Sequence, residues 1–252
     1  MKGNLLRTIA LWGRGLILAP LSVSLVALFT GYAHAQIRFA RIYGGAYDDW
    51  TFSVQQTSDG GYIVVGTKGY YGIDFEDDDY YAFLIKTDAN GNVQWAKIYE
   101  GPGWDWAYSV QQTSDGGYIV AGFTTSFSVS GDILLIKTDA YGNVQWAKPY
   151  GGTYWDEALS VQQTSDGGYI VAGTTNSFGA GENDIFLIKT DADGNVQWTK
   201  TYGGTYWDWA TSVQQTSDGG YIVAGYTGSW PNYDIFLIKT DADGNLEWAK
   251  TY

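Results

Sequence analysis

Apolar and polar residues along this chain fall into short runs with the two-residue period of β-strands, punctuated by Gly and Asp turns. The last fifty residues show the pattern most plainly. Ser212 to Thr216 is a mostly polar run, closed by the turn Ser217-Asp218-Gly219-Gly220. Tyr221 to Gly225 follows as a second strand. In Asp234 to Thr240, Ile235 and Leu237 fall on one face while Phe236 and Ile238 fall on the other, which predicts a mid-sheet strand buried on both sides. After an Asp241 to Asn245 hairpin, Leu246 to Tyr252 alternates Leu246, Trp248 and Lys250 with Glu247, Ala249 and Thr251. That is the pattern of a half-exposed outer strand with a lysine guarding its edge.

This unit is written four times, over about residues 43–98, 99–149, 150–201 and 202–252. One such unit cannot bury its own apolar faces, so the copies must stack or ring together. The strand order, polar inner, two apolar middle and amphipathic outer, predicts an all-β propeller of four four-stranded blades whose first strands line a central channel. Either a closed ring or an open arc completed by oligomerisation fits. A β-solenoid needs shorter, more uniform coils.

Outer-strand sequences number five, not four: Ile37 to Tyr43, Val93 to Tyr99, Val144 to Tyr150, Val196 to Tyr202 and Leu246 to Tyr252. One terminal strand is surplus. It can double the outside of a closing blade, accompany an open arc that dimerises, or exchange between subunits into a polymer, because unpaired strand edges recruit strands. A truncated longer array would end the same way.

Ahead of the repeats, residues 1–35 read as an export signal: Lys2, Arg7 and Arg14, then apolar Leu16 to Phe29, then Ala33-His34-Ala35 around a cleavage site. The repeat domain is then 36–252, secreted, extracellular or at the cell surface, with the periplasm as the other compartment, and with no membrane insertion after cleavage. Loss of the leader removes three positive charges, the only His and the only Met, from a chain of formal net charge −13. Such a surface repels nucleic acid and anionic membranes and favours cations or neutral ligands. Absence of Cys leaves packing and backbone hydrogen bonds to supply stability.

The segments TSDGGYIVAG, DIFLIKTDADGN and VQWTKTYGG resemble the exported bacterial and archaeal β-propeller repeats, similar in style to the seven-bladed beta-propeller repeat and more distantly to kelch. The resemblance covers essentially all of 36–252. It implies the propeller fold and leaves activity open, since most members have no assigned reaction. Glu100-Gly101-Pro102 and the long acidic loop from Gly69 to Asp79 depart from the repeat.

An Asp recurs in the turn before each first strand, Asp49, Asp105, Asp156 and Asp208, flanked by Trp50, Trp104, Trp106, Trp155, Trp207 and Trp209. Around an axis these form a ring of carboxylates and aromatic plates suited to sugars, whose C–H faces stack on rings while hydroxyls donate to carboxylates. The competing reading has each Asp cap backbone N–H groups and each Trp pack between blades. Asp74, Glu76, Asp77, Asp78 and Asp79 form an acidic cluster that could order around Ca²⁺. The loops Asp191 to Asn195 and Asp241 to Asn245 read as hairpin turns, because the ligand position of Asp193 is Asn90 and Tyr141 in other copies. Paired glutamines such as Gln55 and Gln56 are expected to bond between blades. Lys86, Lys137, Lys189 and Lys239 are expected in ion pairs.

Without His or Cys in the exported chain, Ser-His, Cys-His and common zinc machinery are excluded. A carboxylate glycoside hydrolase survives that inventory, but acids repeated in every blade argue for binding. The expectation is therefore no enzyme: a non-catalytic surface module for carbohydrate or a partner protein, or a self-assembling subunit joined through its surplus strand.

Overall fold

The structure, a computed structural model, describes residues 41–44, 48–70, 79–128, 130–229 and 231–252. The leader, residues 37–40 of the surplus strand and residues 71–78 of the acidic loop lie outside that set. Blade 1 is β1 (Asp49–Gln56), β2 (Tyr62–Tyr70), β3 (Asp79–Thr87) and β4 (Val93–Tyr99). Blade 2 is β5 (Asp105–Gln112), β6 (Tyr118–Thr124), β7 (Asp132–Thr138) and β8 (Val144–Tyr150). Blade 3 is β9 (Asp156–Gln163), β10 (Tyr169–Thr175), β11 (Asp184–Thr190) and β12 (Val196–Tyr202). Blade 4 is β13 (Trp207–Gln215), β14 (Tyr221–Ser229), β15 (Asn232–Thr240) and β16 (Leu246–Thr251).

Each blade is a four-stranded antiparallel meander in sequence order. β2 packs on β5, β6 on β9 and β10 on β13, while the first strands β1, β5, β9 and β13 lie side by side. The four-bladed propeller architecture is thus present, with first strands innermost. No comparable packing joins blade 4 to blade 1 among the described residues.

The core sits between blades. Ile119, Ala121, Ile133 and Leu135 of blade 2 meet Ala158, Val161, Tyr169, Val171 and Ile188 of blade 3, and the other two boundaries repeat this set. Each fully buried Ile or Leu contributes about 1.5–3 kcal/mol, so the boundaries rather than the single sheets hold the fold. Glutamines lock them as expected: the Gln163 N–H donates to Gln111 Oε1 at 2.5 Å, and Ser114 N–H donates to Gln163 Oε1 at 2.8 Å.

Two expectations change here. The inner strands are not simply polar: their first halves carry Trp50, Phe52, Trp106, Tyr108, Leu159 and Trp209, and only their ends are Ser-Val-Gln-Gln. Residues 41–44 carry no strand, so the described part of the surplus segment is not one.

A buried lysine clamps every blade. Lys189 donates to Asp166 Oδ2 at 2.9 Å, to Thr190 O at 2.8 Å and to Gln197 Oε1 at 3.1 Å. Burial pushes the Asp166 carboxyl up, but hydrogen bonds from Thr164, Lys189 and the Gly168 N–H outweigh it and hold the group at about 2. The pair is lopsided, with Lys189 4% exposed and Asp166 54%. Asp166→Ala strands the buried ammonium, and the expected cost is about 2–3 kcal/mol once solvent screening is allowed for. Lys189→Met strands only a half-exposed carboxylate that keeps the Thr164 and Gly168 donors, so the smaller loss is expected there. Urea midpoints of the two variants check the order, and a costlier Lys189→Met refutes it.

Candidate functional site

The linkers between blades and the β2–β3 type loops gather at one end of each sheet. Thr125 N–H donates to Trp104 O at 2.8 Å in blade 2, and Asn176 N–H to Trp155 O at 2.9 Å in blade 3. Trp104, Trp155 and Trp207 stand at equivalent places in blades 2, 3 and 4 and are 43%, 39% and 42% exposed. Tyr154, Tyr206, Phe127 and Phe178 are exposed beside them. Blade 1 has Asp48 at this position, so the aromatic row covers three blades.

The aspartates of the expected ring take a different place. Asp105 and Asp156 open their strands, and Asp208 is the second residue of β13; all three are buried. Asp105 accepts from Thr124 Oγ1 at 2.6 Å and Ser126 Oγ at 2.9 Å, and burial raises its carboxyl despite them. Asp156 Oδ2 accepts from Gly152 N–H at 2.8 Å and Ser177 Oγ at 2.7 Å, and Asp208 Oδ2 from Gly204 N–H at 2.9 Å. These carboxylates tie linkers to blades. Asp49 lies 3.6 Å from Lys68 Nζ.

The second tryptophan of each copy divides from the first. Trp50 and Trp106 stack at 6.3 Å with planes 17° apart, under Tyr80. Trp209 stacks on Tyr226 at 5.9 Å. The Nε1–H groups of Trp106 and Trp209 are buried without a hydrogen-bond partner. In blade 3 the same position holds Glu157, which is 6% exposed. Burial pushes its carboxyl up to about 7, against a hydrogen bond from the Trp155 side chain. Its charge is felt at Tyr108 of blade 2 and Tyr226 of blade 4. A carboxyl of this kind can hold or release a proton near neutral pH. Its sequence signal was the break in the Trp50, Trp106, Trp209 series.

Asp79 begins β3 and accepts from Tyr81 OH at 2.9 Å, whereas Asp74, Glu76, Asp77 and Asp78 lie outside the described residues. The Asp191 loop is a hairpin in which Oδ1 accepts the Asp193 and Asn195 N–H groups at 3.0 and 2.7 Å. Asp139, with Tyr141 in the loop, does the same.

No family model matches the chain. Part of it is 33% identical over 107 residues to the regulatory protein FlaEY of Caulobacter vibrioides, covering 37% of this chain and 11% of that protein. The chain thus spans about a ninth of the length of that curated relative. Among solved structures it is similar to a Bifidobacterium bifidum s17 protein provisionally named as an exo-beta-1,3-galactanase, with TM-score 0.51 at 17% identity, covering 81% of this chain and 73% of the other. It is also similar to the Neurospora crassa Pan2 WD40 domain, with TM-score 0.48, 9% identity and coverage of 81% and 66%. Beta-1,2-mannobiose phosphorylase from Listeria innocua overlaps with TM-score 0.44, 12% identity and coverage of 82% and 75%. The first of these likenesses carries the propeller fold. The expectation that the chain is no enzyme is corrected here: the similar structure with TM-score 0.51 bears the name of a carbohydrate-active enzyme. That expectation rested on chemical equivalence of the blades, which Glu157 breaks.

Proposed function

We propose that the protein is an exported propeller that binds carbohydrate on the linker end of its blades, with Trp104, Trp155 and Trp207 as stacking plates. One observation carries the reading, the recurrence of a 39–43% exposed indole at one position in three successive blades. Rings left in water recover burial energy when a sugar C–H face covers them. The formal net charge of −13 favours neutral glycans over anionic polymers. Calorimetric titration with neutral oligosaccharides tests it. Trp104→Ala and Trp207→Ala are each expected to weaken binding about tenfold, or about 1.4 kcal/mol, with an unchanged circular dichroism spectrum. Unaltered affinity in both variants removes the reading.

Glu157 supports a second reading on the same ligand class, glycoside cleavage with this carboxyl as the proton donor. Such chemistry requires a second carboxylate about 5–9.5 Å away. Release of reducing ends that Glu157→Gln abolishes, with binding retained, would establish it, and silence on a glycoside panel refutes it.

A further inference from the structure

Every internal blade boundary joins two unlike faces, and among the described residues the row of blades leaves one of each without a facing blade. Blade 3 presents Ile170, Ala172, Ile185 and Leu187, all 0% exposed, to Val213, Val223 and Ile238 of blade 4. Blade 4 repeats that presenting face as Ile222, Ala224, Ile235 and Leu237, yet Ile235 is 59% exposed and the others are only half-buried. Blade 1 repeats the receiving face. There Val54 is 64% exposed, where Val110, Val161 and Val213 are 6%, 6% and 3%.

The polar and aromatic parts match as well. Gln112, Gln163 and Gln215 N–H groups donate to Gln55, Gln111 and Gln162 across the three boundaries. Gln56 and Gln214 hold the corresponding positions at the two ends. Blade 4 also carries an open cleft of about 530 Å³ lined by Trp207, Trp209, Tyr226 and Tyr233. At the same place in blade 1, Trp50 and Tyr80 are covered by Trp106 of blade 2, at 6.3 and 5.2 Å. The residue that would fill the blade 4 cleft in that arrangement is a Trp50.

We propose that a second copy of this chain docks head to tail, the presenting face of blade 4 on the receiving face of blade 1, and that two copies close an eight-bladed ring. A second copy is the occupant because it carries both the apolar set and the glutamine register by repetition, in continuity with the three boundaries already formed. Head-to-tail contacts close when the rotation between units completes a circle, and eight blades lie within the range propellers adopt. Docking also exchanges two contacts. Arg41 and Tyr43 donate to Asn92 Oδ1 at 3.1 Å and Gly91 O at 2.5 Å, as Lys148 and Tyr150 do to Asn195 and Gly194. In the ring the incoming Lys250 and Tyr252 take those acceptors. The inference shares Trp207 with the carbohydrate reading, but neither Val54 nor Ile235 belongs to the linker-end row, so different residues test the two.

Sedimentation of the full chain over a concentration series tests it, with twice the single-chain mass expected. Val54→Glu and Ile235→Glu change residues exposed in the single chain, so each variant keeps its circular dichroism spectrum and is expected to sediment as a monomer. An equimolar mixture of the two retains one intact junction and is expected to recover the pair. A wild-type monomer at every concentration overturns the proposal, as do pairs that survive both substitutions. Trp104→Ala alters sugar affinity and leaves the mass unchanged, which keeps the two readings apart.

Discussion

Gly122→Ala is expected to destabilise blade 2 by more than about 4 kcal/mol, in the range reserved for outright steric or packing failure. An added Cβ would lie 1.8 Å from the Trp106 carbonyl oxygen, 2.8 Å from its carbon and 3.0 Å from Ala107 Cα. The cause is local: the register of β5 on β6 shifts between Ala107 and Ser109, and the bulge turns the Trp106 carbonyl across Gly122. Neither strand can retreat, because Ala107 is 1% exposed within the boundary to blade 1. Gly116→Ala is the control. Its φ of 84° makes alanine strained, but an added Cβ would meet nothing within 4 Å, so a loss of about 1–2 kcal/mol is expected. For a domain of this size a 4 kcal/mol loss lowers the melting temperature by roughly 8–16 °C. Similar small losses for the two variants in calorimetry would show that the bulge yields.

Much of this fold was legible because the repeat fixes a strand by four independent copies. The pattern of Asp234 to Thr240 predicts a strand buried on both sides; β15 does cover Asn232–Thr240, but Ile235 is 59% exposed and only the equivalent strands β7 and β11 are buried throughout. Leu246 to Tyr252 was read as outermost, and β16 covers Leu246–Thr251 with every residue exposed. The first strand was read too short, as Ser212 to Thr216, while β13 covers Trp207–Gln215. The bulge between Ala210 and Ser212 interrupts the two-residue period, so the aromatic half looked like a turn. That same error put the aspartates in the linker instead of in the strand, where burial turns them into ties for backbone N–H groups. Repetition also hid what distinguishes the end blades. Val54 and Val110 sit in the same sequence motif, and only the row of blades shows that one is 64% exposed and the other 6%.

Glu157→Gln is expected to remove a slope in stability between about pH 4.5 and pH 7. Burial raises this carboxyl from its ordinary 4.5 to about 7, and the Trp155 hydrogen bond only partly opposes it. Below pH 4.5 both folded and unfolded chains hold the proton, and the group costs nothing. From there to pH 7 the unfolded chain has released a proton that the folded chain keeps, so stability falls as pH rises, by about 1.4 kcal/mol per unit. The full penalty above pH 7 is about 3 kcal/mol, because Glu157 is almost wholly buried. Asp115 and Asp166 act with the opposite sign. Their carboxyls are held at about 2, so the stability they contribute is present above the ordinary 3.8 and is lost as pH falls toward 2. Glutamine keeps an acceptor for the Trp155 side chain and carries no charge, so the variant should be the more stable chain at pH 8 and should lose the slope. Urea midpoints from pH 4 to 8 measure both. Parallel curves for wild type and Glu157→Gln would mean that the carboxyl titrates in its ordinary range, and a proton-donating role at this site would fall with it.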